Sequence, residues 1–284
     1  DLMGVVAVGD FDPNFVKTKE ITKNLEGTTA ILLAALTGRG DIIRDLVSGE
    51  ADPDTRNSFK EPLLFLTVER DFGEGTRVLL ESGVNVESRS PRGWTALMRA
   101  AKYGRVSPAR VLIVKGANVN AVSRSGATPI MIAAERGHKE MVMLLIEHQA
   151  AINTKSKNGT TPLISASAGG HEDIVELLLQ KGATKNATIA NGSTSLMVAA
   201  ERGYLPTVEV LLRYGANIQA RSKRGWTALM VAAAGGHSKI TRLFLEKGAS
   251  VEPVTKNGWT ALKVAHQLGR LEVVQQLKLA GAEN

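Results

Sequence analysis

A four-residue phrase returns every 33 residues through most of this 284-residue chain. It consists of threonine, a small residue or proline, an apolar residue and, most often, methionine. Its six copies begin at Thr95, Thr128, Thr161, Thr194, Thr227 and Thr260. Self-similarity at a fixed period of this length is typical of stacked units, each of which buries its apolar face only against its neighbours. The sequence therefore predicts one elongated repeat domain and not a single closed core.

Each copy also carries start and stop signals for two helices. Threonine suits the N-cap of the first helix, because its hydroxyl can accept a hydrogen bond from a free backbone N–H. A glycine nine residues later can adopt the left-handed conformation that ends a helix, at Gly104, Gly137, Gly170, Gly203 and Gly236. A second apolar run, such as residues 174–179, has helical spacing and also ends at glycine. Gln149 stands at that glycine position in one copy, where a positive φ should cost about 1 kcal/mol.

The complete pattern is Gly-x-Thr-(Pro/Ala)-Leu, then Ala-Ala, Gly-His, an apolar run and Gly-Ala, as residues 126–150 show with Gln149 as one departure. This pattern resembles the ankyrin repeat. The resemblance implies an all-α repeat solenoid, in which helix-turn-helix units stack and are joined by β-hairpin fingers.

The repeat pattern divides the chain into one domain and a terminal segment. We predict an ankyrin-repeat domain over residues 27–284, with repeats near 27–58, 59–92, 93–125, 126–158, 159–191, 192–224, 225–257 and 258–284. Residues 1–26 are interpreted as a degenerate N-terminal capping unit. The unit at 59–83 is irregular, with bulk in place of the Ala-Ala pair, and we interpret it as a decayed repeat.

The net charge of +7 is concentrated at the positions that the resemblance implies for partner contact, namely the hairpin tips and the exposed end of each first helix. Of 36 such positions, twelve are Lys or Arg and two are acidic. Where the family favours Asp in the hairpin, this chain has Ser, Thr or Ile. The predicted protein-binding residues are Arg89, Arg92, Trp94, Lys102, Tyr103, Arg124, Arg136, Lys155, Lys157, Arg202, Arg221, Lys223, Arg224, Trp226, Lys256 and Trp259.

All three tryptophans, Trp94, Trp226 and Trp259, precede the N-cap threonine of a first helix. Tryptophan beside arginine is typical of binding hot spots. Two interpretations stay open at this point: the indoles contact a partner, or they pack on the neighbouring hairpin and stiffen the array.

The motifs of enzymes and metal sites are absent from the sequence. There is no His-Glu-x-x-His, no phosphate-binding glycine loop and no Gly-x-Ser-x-Gly, and the chain has no cysteine. His138, His171 and His237 recur at one repeat position, so consecutive copies lie about 10 Å apart, too far to share a metal whose bonds are about 2 Å. We therefore predict no enzymatic activity, no metal and no cofactor.

The leading hypothesis is a non-enzymatic protein-interaction module with a basic, Trp-bearing concave surface for an acidic protein or peptide. Scaffold, adaptor, effector and inhibitor or immunity-type roles all fit. One alternative is a structural segment of a longer ankyrin protein, and another is nucleic-acid binding, which we consider the weaker because the rest of the chain is net acidic. We expect a monomer when unbound, no membrane association and a soluble, cytoplasmic location by default. A chain that begins at Asp1 leaves a periplasmic or secreted location open.

Overall fold

The computed structural model describes residues 27–57 and 60–283, so the predicted capping unit at 1–26 lies outside the described residues. The chain divides into two compact units, residues 1–118 and 119–284. The described part contains sixteen helices and no strand, which confirms the predicted all-α repeat fold class.

The first unit holds three pairs of short helices. They are α1 (Gly27–Leu36) and α2 (Gly40–Ser48), α3 (Leu63–Glu69) and α4 (Gly73–Glu81), and α5 (Ala96–Tyr103) and α6 (Val106–Val114). First helices pack on first helices and second helices on second helices, so the pairs stack in register.

The second unit holds five pairs that pack in the same way. They are α7 (Pro129–Arg136) and α8 (Lys139–Glu147), α9 (Pro162–Gly169) and α10 (Glu172–Gln180), α11 (Ser195–Glu201) and α12 (Leu205–Arg213), α13 (Ala228–Gly235) and α14 (Ser238–Glu246), and α15 (Ala261–Gln267) and α16 (Leu271–Leu279).

The predicted helix signals are largely confirmed. In five of the six copies the N-cap threonine hydroxyl accepts a hydrogen bond from the N–H three residues on, as in Thr227 to Met230 at 3.3 Å. Thr128 is the exception, since its buried hydroxyl oxygen has no partner among the described residues. The stop glycines adopt positive φ, and so does Gln149 with φ of 65°.

Small and flexible side chains let the first helices approach closely. The alanine pairs of the repeat are buried, as Ala133 and Ala134 show. The recurring methionines are buried beside them at Met98, Met131, Met197 and Met230. Since methionine adapts to irregular gaps, it suits a position that is buried in each of these four repeats.

The predicted β-hairpin fingers are tight turns and not strands. At each tip the first residue accepts a hydrogen bond from the glycine N–H three residues on and donates to the carbonyl four residues on, as Ser222 does with Gly225 (2.9 Å) and Trp226 (2.8 Å). The same geometry recurs at tips that begin at Ser90, Ser123, Ser156, Ile189, Ser222 and Thr255. Each turn pairs too few residues to extend a ladder, and the described residues show only two isolated bridge pairs.

Candidate protein-binding surface

In the second unit the tips form a continuous row that is joined by backbone hydrogen bonds. The N–H of Lys157 donates to Ser125 O (3.1 Å), that of Lys223 to Asn191 O (2.9 Å) and that of Lys256 to Arg224 O (3.0 Å). Because each tip is tied to the one before it, the side chains that project from the row are held at fixed intervals.

This row is strongly basic. The five tip segments 121–127, 154–160, 187–193, 220–226 and 253–259 contain no Asp or Glu. Their cations are all exposed, and they are Arg124, Lys155, Lys157, Arg221, Lys223, Arg224 and Lys256. None of the seven has a carboxylate within 4.0 Å in the part of the chain that the structure describes. The positive charge of the row is therefore not neutralised from within the described chain.

A neutral hydroxyl holds four of the five turns of the second unit in place of a carboxylate. Ser222 Oγ accepts a hydrogen bond from Trp226 N (3.1 Å), and Thr255 Oγ1 accepts from Trp259 N (3.0 Å). Equivalent bonds join the Ser123 and Ser156 hydroxyls to the N–H four residues on. The turns thus keep a side-chain acceptor without adding negative charge.

The predicted residues at the first-helix ends of the second unit are also at the surface. Arg136 and Arg202 are exposed, and Arg202 Nη1 donates to Ala168 O at 2.8 Å. Arg202 therefore contributes to holding two repeats together as well as to the surface charge.

The first unit carries the remaining predicted cations. Arg89 and Arg92 are exposed, and Arg89 lies 3.7 Å from the Glu87 carboxylate, so its charge is partly balanced. Lys102 is half-buried, with its ammonium 4.7 Å from the ring centroid of Tyr103.

The tryptophans are half-buried and not freely exposed. Trp94 lies beneath the guanidinium of Arg99, which is 5.8 Å from the indole centroid. Trp226 borders an open cleft with Arg224 and the last residues of α13. Trp94 borders an open cleft of its own with Arg92 and Lys102, so both indoles keep one side open to solvent and both interpretations stay open for them.

Arg99 belongs to a charged cluster that the sequence analysis did not single out. Its guanidinium pairs with Glu61 and with Glu69 (2.9 Å) and lies 5.3 Å from the ring centroid of Phe65. Burial raises the pKa of the Glu69 carboxyl, and the nearby Arg99 opposes that rise. The signal was present in the sequence: Glu61 occupies the repeat position of the tryptophans, and Arg99 stands where four other repeats have Val or Ile.

Two of the three recurring histidines form a hydrogen bond with the preceding repeat. The Nε2–H of His171 donates to Glu135 O and that of His237 donates to Glu201 O, each at 3.0 Å. Each ring therefore satisfies a carbonyl at the end of the preceding first helix. Arg270, at the same repeat position, donates to Ala234 O in the same way (3.1 Å).

Among the described residues, no three His, Cys, Asp or Glu side chains are grouped as a metal site would require. No helix in residues 27–57 and 60–283 has the length and apolar character needed to cross a membrane.

Comparison with known families agrees with this architecture. The family model of ankyrin repeats matches three times, over residues 31–123, 109–189 and 190–284. These matches cover most of the chain, which therefore belongs to the ankyrin repeat family. Ankyrin repeats generally mediate protein–protein interaction and are typically non-enzymatic. The count of eight repeats with a capping unit stays a prediction. No curated protein matches the chain significantly.

Proposed function

We propose that this protein is a non-enzymatic binding module that holds an acidic protein, or an acidic segment of one, on its basic tip row. The observation that carries the proposal is the row of seven exposed cations without a carboxylate within 4.0 Å in the described chain. Such a surface attracts an acidic partner and accelerates the encounter. Because the tips are joined by backbone hydrogen bonds, the charges are positioned before the partner arrives.

Affinity is expected to come from half-buried aromatic groups beside these charges. Exposed ion pairs contribute about 0.2–1 kcal/mol each, whereas aromatic anchors at the centre of an interface contribute more. Trp226 and Trp259 stand at the base of the two most C-terminal tips, next to Arg224 and Lys256. We therefore place the centre of the contact at this end of the second unit.

The test is a charge reversal of the tip row, K223E/R224E/K256E. Arg221 is left unchanged because its guanidinium donates to the backbone carbonyl of Val254. The matched control is K181E/K239E/K247E, which changes the net charge equally at exposed positions of the second-helix layer. Both variants should retain the helical circular-dichroism spectrum, because none of the six side chains is buried.

Each protein is used to capture binding partners from nuclease-treated lysate of the source organism, and the affinity for a captured protein is then measured. Loss of three exposed pairs plus the added repulsion should weaken binding at least about tenfold for the tip variant, and the control should bind normally. Equal loss in both variants would indicate non-specific attraction to net charge. Retention that is seen only in a parallel capture from untreated lysate would favour the nucleic-acid alternative, whose binding should also fall steeply with salt.

A further inference from the structure

A cleft of about 680 Å³ lies beside Trp226 in the second unit. The tip residues Asn191, Ser193, Ser222, Arg224 and Trp226 line it on one side, and we call the part of α13 that carries Val231, Ala234 and Gly235 its floor. The cleft is open to solvent and lies on the same surface as the basic tip row.

The floor is apolar because the last two residues of α13 have almost no side chain. At the equivalent positions two other first helices of this unit end in Glu135-Arg136 and Glu201-Arg202. Helix α9 also ends in a small pair, Ala168-Gly169, but the tip that precedes it has Thr160 where Trp226 stands. In the second unit, Trp226 and a small-residue floor therefore coincide in this repeat alone.

The charges at the cleft select the kind of group that can enter. Glu201 also lines it, and its carboxylate has no cation within 4.0 Å among the described residues. A second carboxylate inside the cleft would be repelled, whereas an apolar side chain covers the indole and the methyl groups of Val231 and Ala234. Arg224 also lines the cleft and has no carboxylate within 4.0 Å in the described chain, so it is available to a carboxylate that accompanies the apolar side chain.

We propose that the Trp226 cleft receives one apolar side chain of the acidic partner, which carries a carboxylate one or two residues away that pairs with Arg224. This proposal rests on the proposed function and specifies its ligand: an acidic segment interrupted by a single Leu, Ile, Met or Phe. An extended segment advances about 3.3 Å per residue, so the two groups can engage the cleft and its rim together.

The test uses a phage-displayed library of random eight-residue peptides, selected on the full chain and on two variants. A234M places a thioether over the floor beside Trp226, and the fold should accept it because Glu201 and Gln267 occupy the equivalent position. A168M places the same side chain on the small-residue floor that has no tryptophan. We expect all three proteins to select acidic peptides. The peptides selected by the unchanged chain and by A168M should share an apolar residue next to an acidic one, and those selected by A234M should not.

The affinities of one selected peptide and its variants for these proteins then measure the contribution of the cleft to binding. Replacement of its apolar residue by Ala should weaken binding to the unchanged chain about tenfold and leave binding to A234M unaltered. Replacement by Glu should weaken it further, and E201Q should recover part of that loss. Acidic peptides with no fixed apolar position would overturn the cleft proposal and leave the proposed function standing. A selection without enrichment of acidic peptides would count against the proposed function itself.

Discussion

Removal of the Arg99 charge should destabilise the first unit, because Arg99 separates two carboxylates that water reaches only in part. The side chains of Arg99, Glu61 and Glu69 are 14%, 26% and 27% exposed. Loss of one partner from a fully buried pair costs about 3–5 kcal/mol. Since water still screens part of this cluster, we expect R99M to lower the free energy of unfolding by about 2 kcal/mol. Methionine preserves the apolar stem beside Phe65, so the charge is the main change.

The assay is urea unfolding in a background where Trp226 and Trp259 are replaced by Phe. Trp94 is then the only tryptophan, and its fluorescence reports on the first unit. The loss of unfolding free energy is calculated from the shift of the urea midpoint, provided that the dependence of the free energy on urea concentration is unchanged. The matched variant E61Q/R99M/E69Q removes all three charges together, and it should recover at least half of the stability that R99M loses.

A loss below about 0.5 kcal/mol for R99M would place the cluster among ordinary surface ion pairs and refute the reasoning. If the triple variant is no more stable than R99M, the loss comes from the packing of the guanidinium on Phe65 and Trp94 and not from unpaired carboxylates.

The same cluster gives the expected pH dependence. The pKa of Glu69 is raised above its ordinary value of 4.5 by burial. The folded state therefore binds more protons than the unfolded state in this window, and the stability of the first unit falls as pH rises from about 4.5 through the raised pKa. E69Q should abolish this slope, and R99M should steepen it because the opposing cation is gone.

Two further predictions concern the stability of the second unit, which is measured by urea unfolding with the fluorescence of Trp226 and Trp259 in a W94F background. Gln149 holds φ of 65° at an exposed position, so Q149G should stabilise the unit by about 1 kcal/mol. An unchanged or lower urea midpoint for Q149G would show that the residue is not strained. His237 donates to Glu201 O, so H237A should lower the free energy of unfolding by about 1 kcal/mol. H237R should retain stability, because Arg270 makes the same bond in the next repeat. Equal losses in both variants would contradict this role of His237.

The fold could be predicted because each repeat carries residues that start and stop its own helices. The N-cap threonines and stop glycines act through bonds within one helix, and repetition at a fixed interval shows that the rules apply in every copy. The positions of the tip cations follow from the same register. Gln149 illustrates the strength of this inference, because the residue adopts the positive φ of the glycine that it replaces.

What could not be predicted depends on contacts between repeats. His171 reaches a carbonyl 36 residues earlier, and Arg99 reaches Glu61 38 residues earlier. The residues within one repeat do not determine which residue of the preceding repeat such a side chain reaches. The surroundings of the tryptophans are likewise decided by neighbouring residues: Arg99 lies over Trp94, whereas Ala234 and Gly235 line the cleft next to Trp226.

The tip row shows how one position can separate a structural role from charge. The turn needs an acceptor for the N–H four residues on, and the carboxylate that the family favours there would supply it at the cost of a negative charge. Ser222 and Thr255 provide the acceptor with a hydroxyl. At Ile189 no such side chain exists, and Asn191 Oδ1 accepts from Ser193 N instead (2.8 Å). The turns therefore remain closed while the row stays free of carboxylates, and the positive field that we assign to partner binding follows from this choice of acceptor.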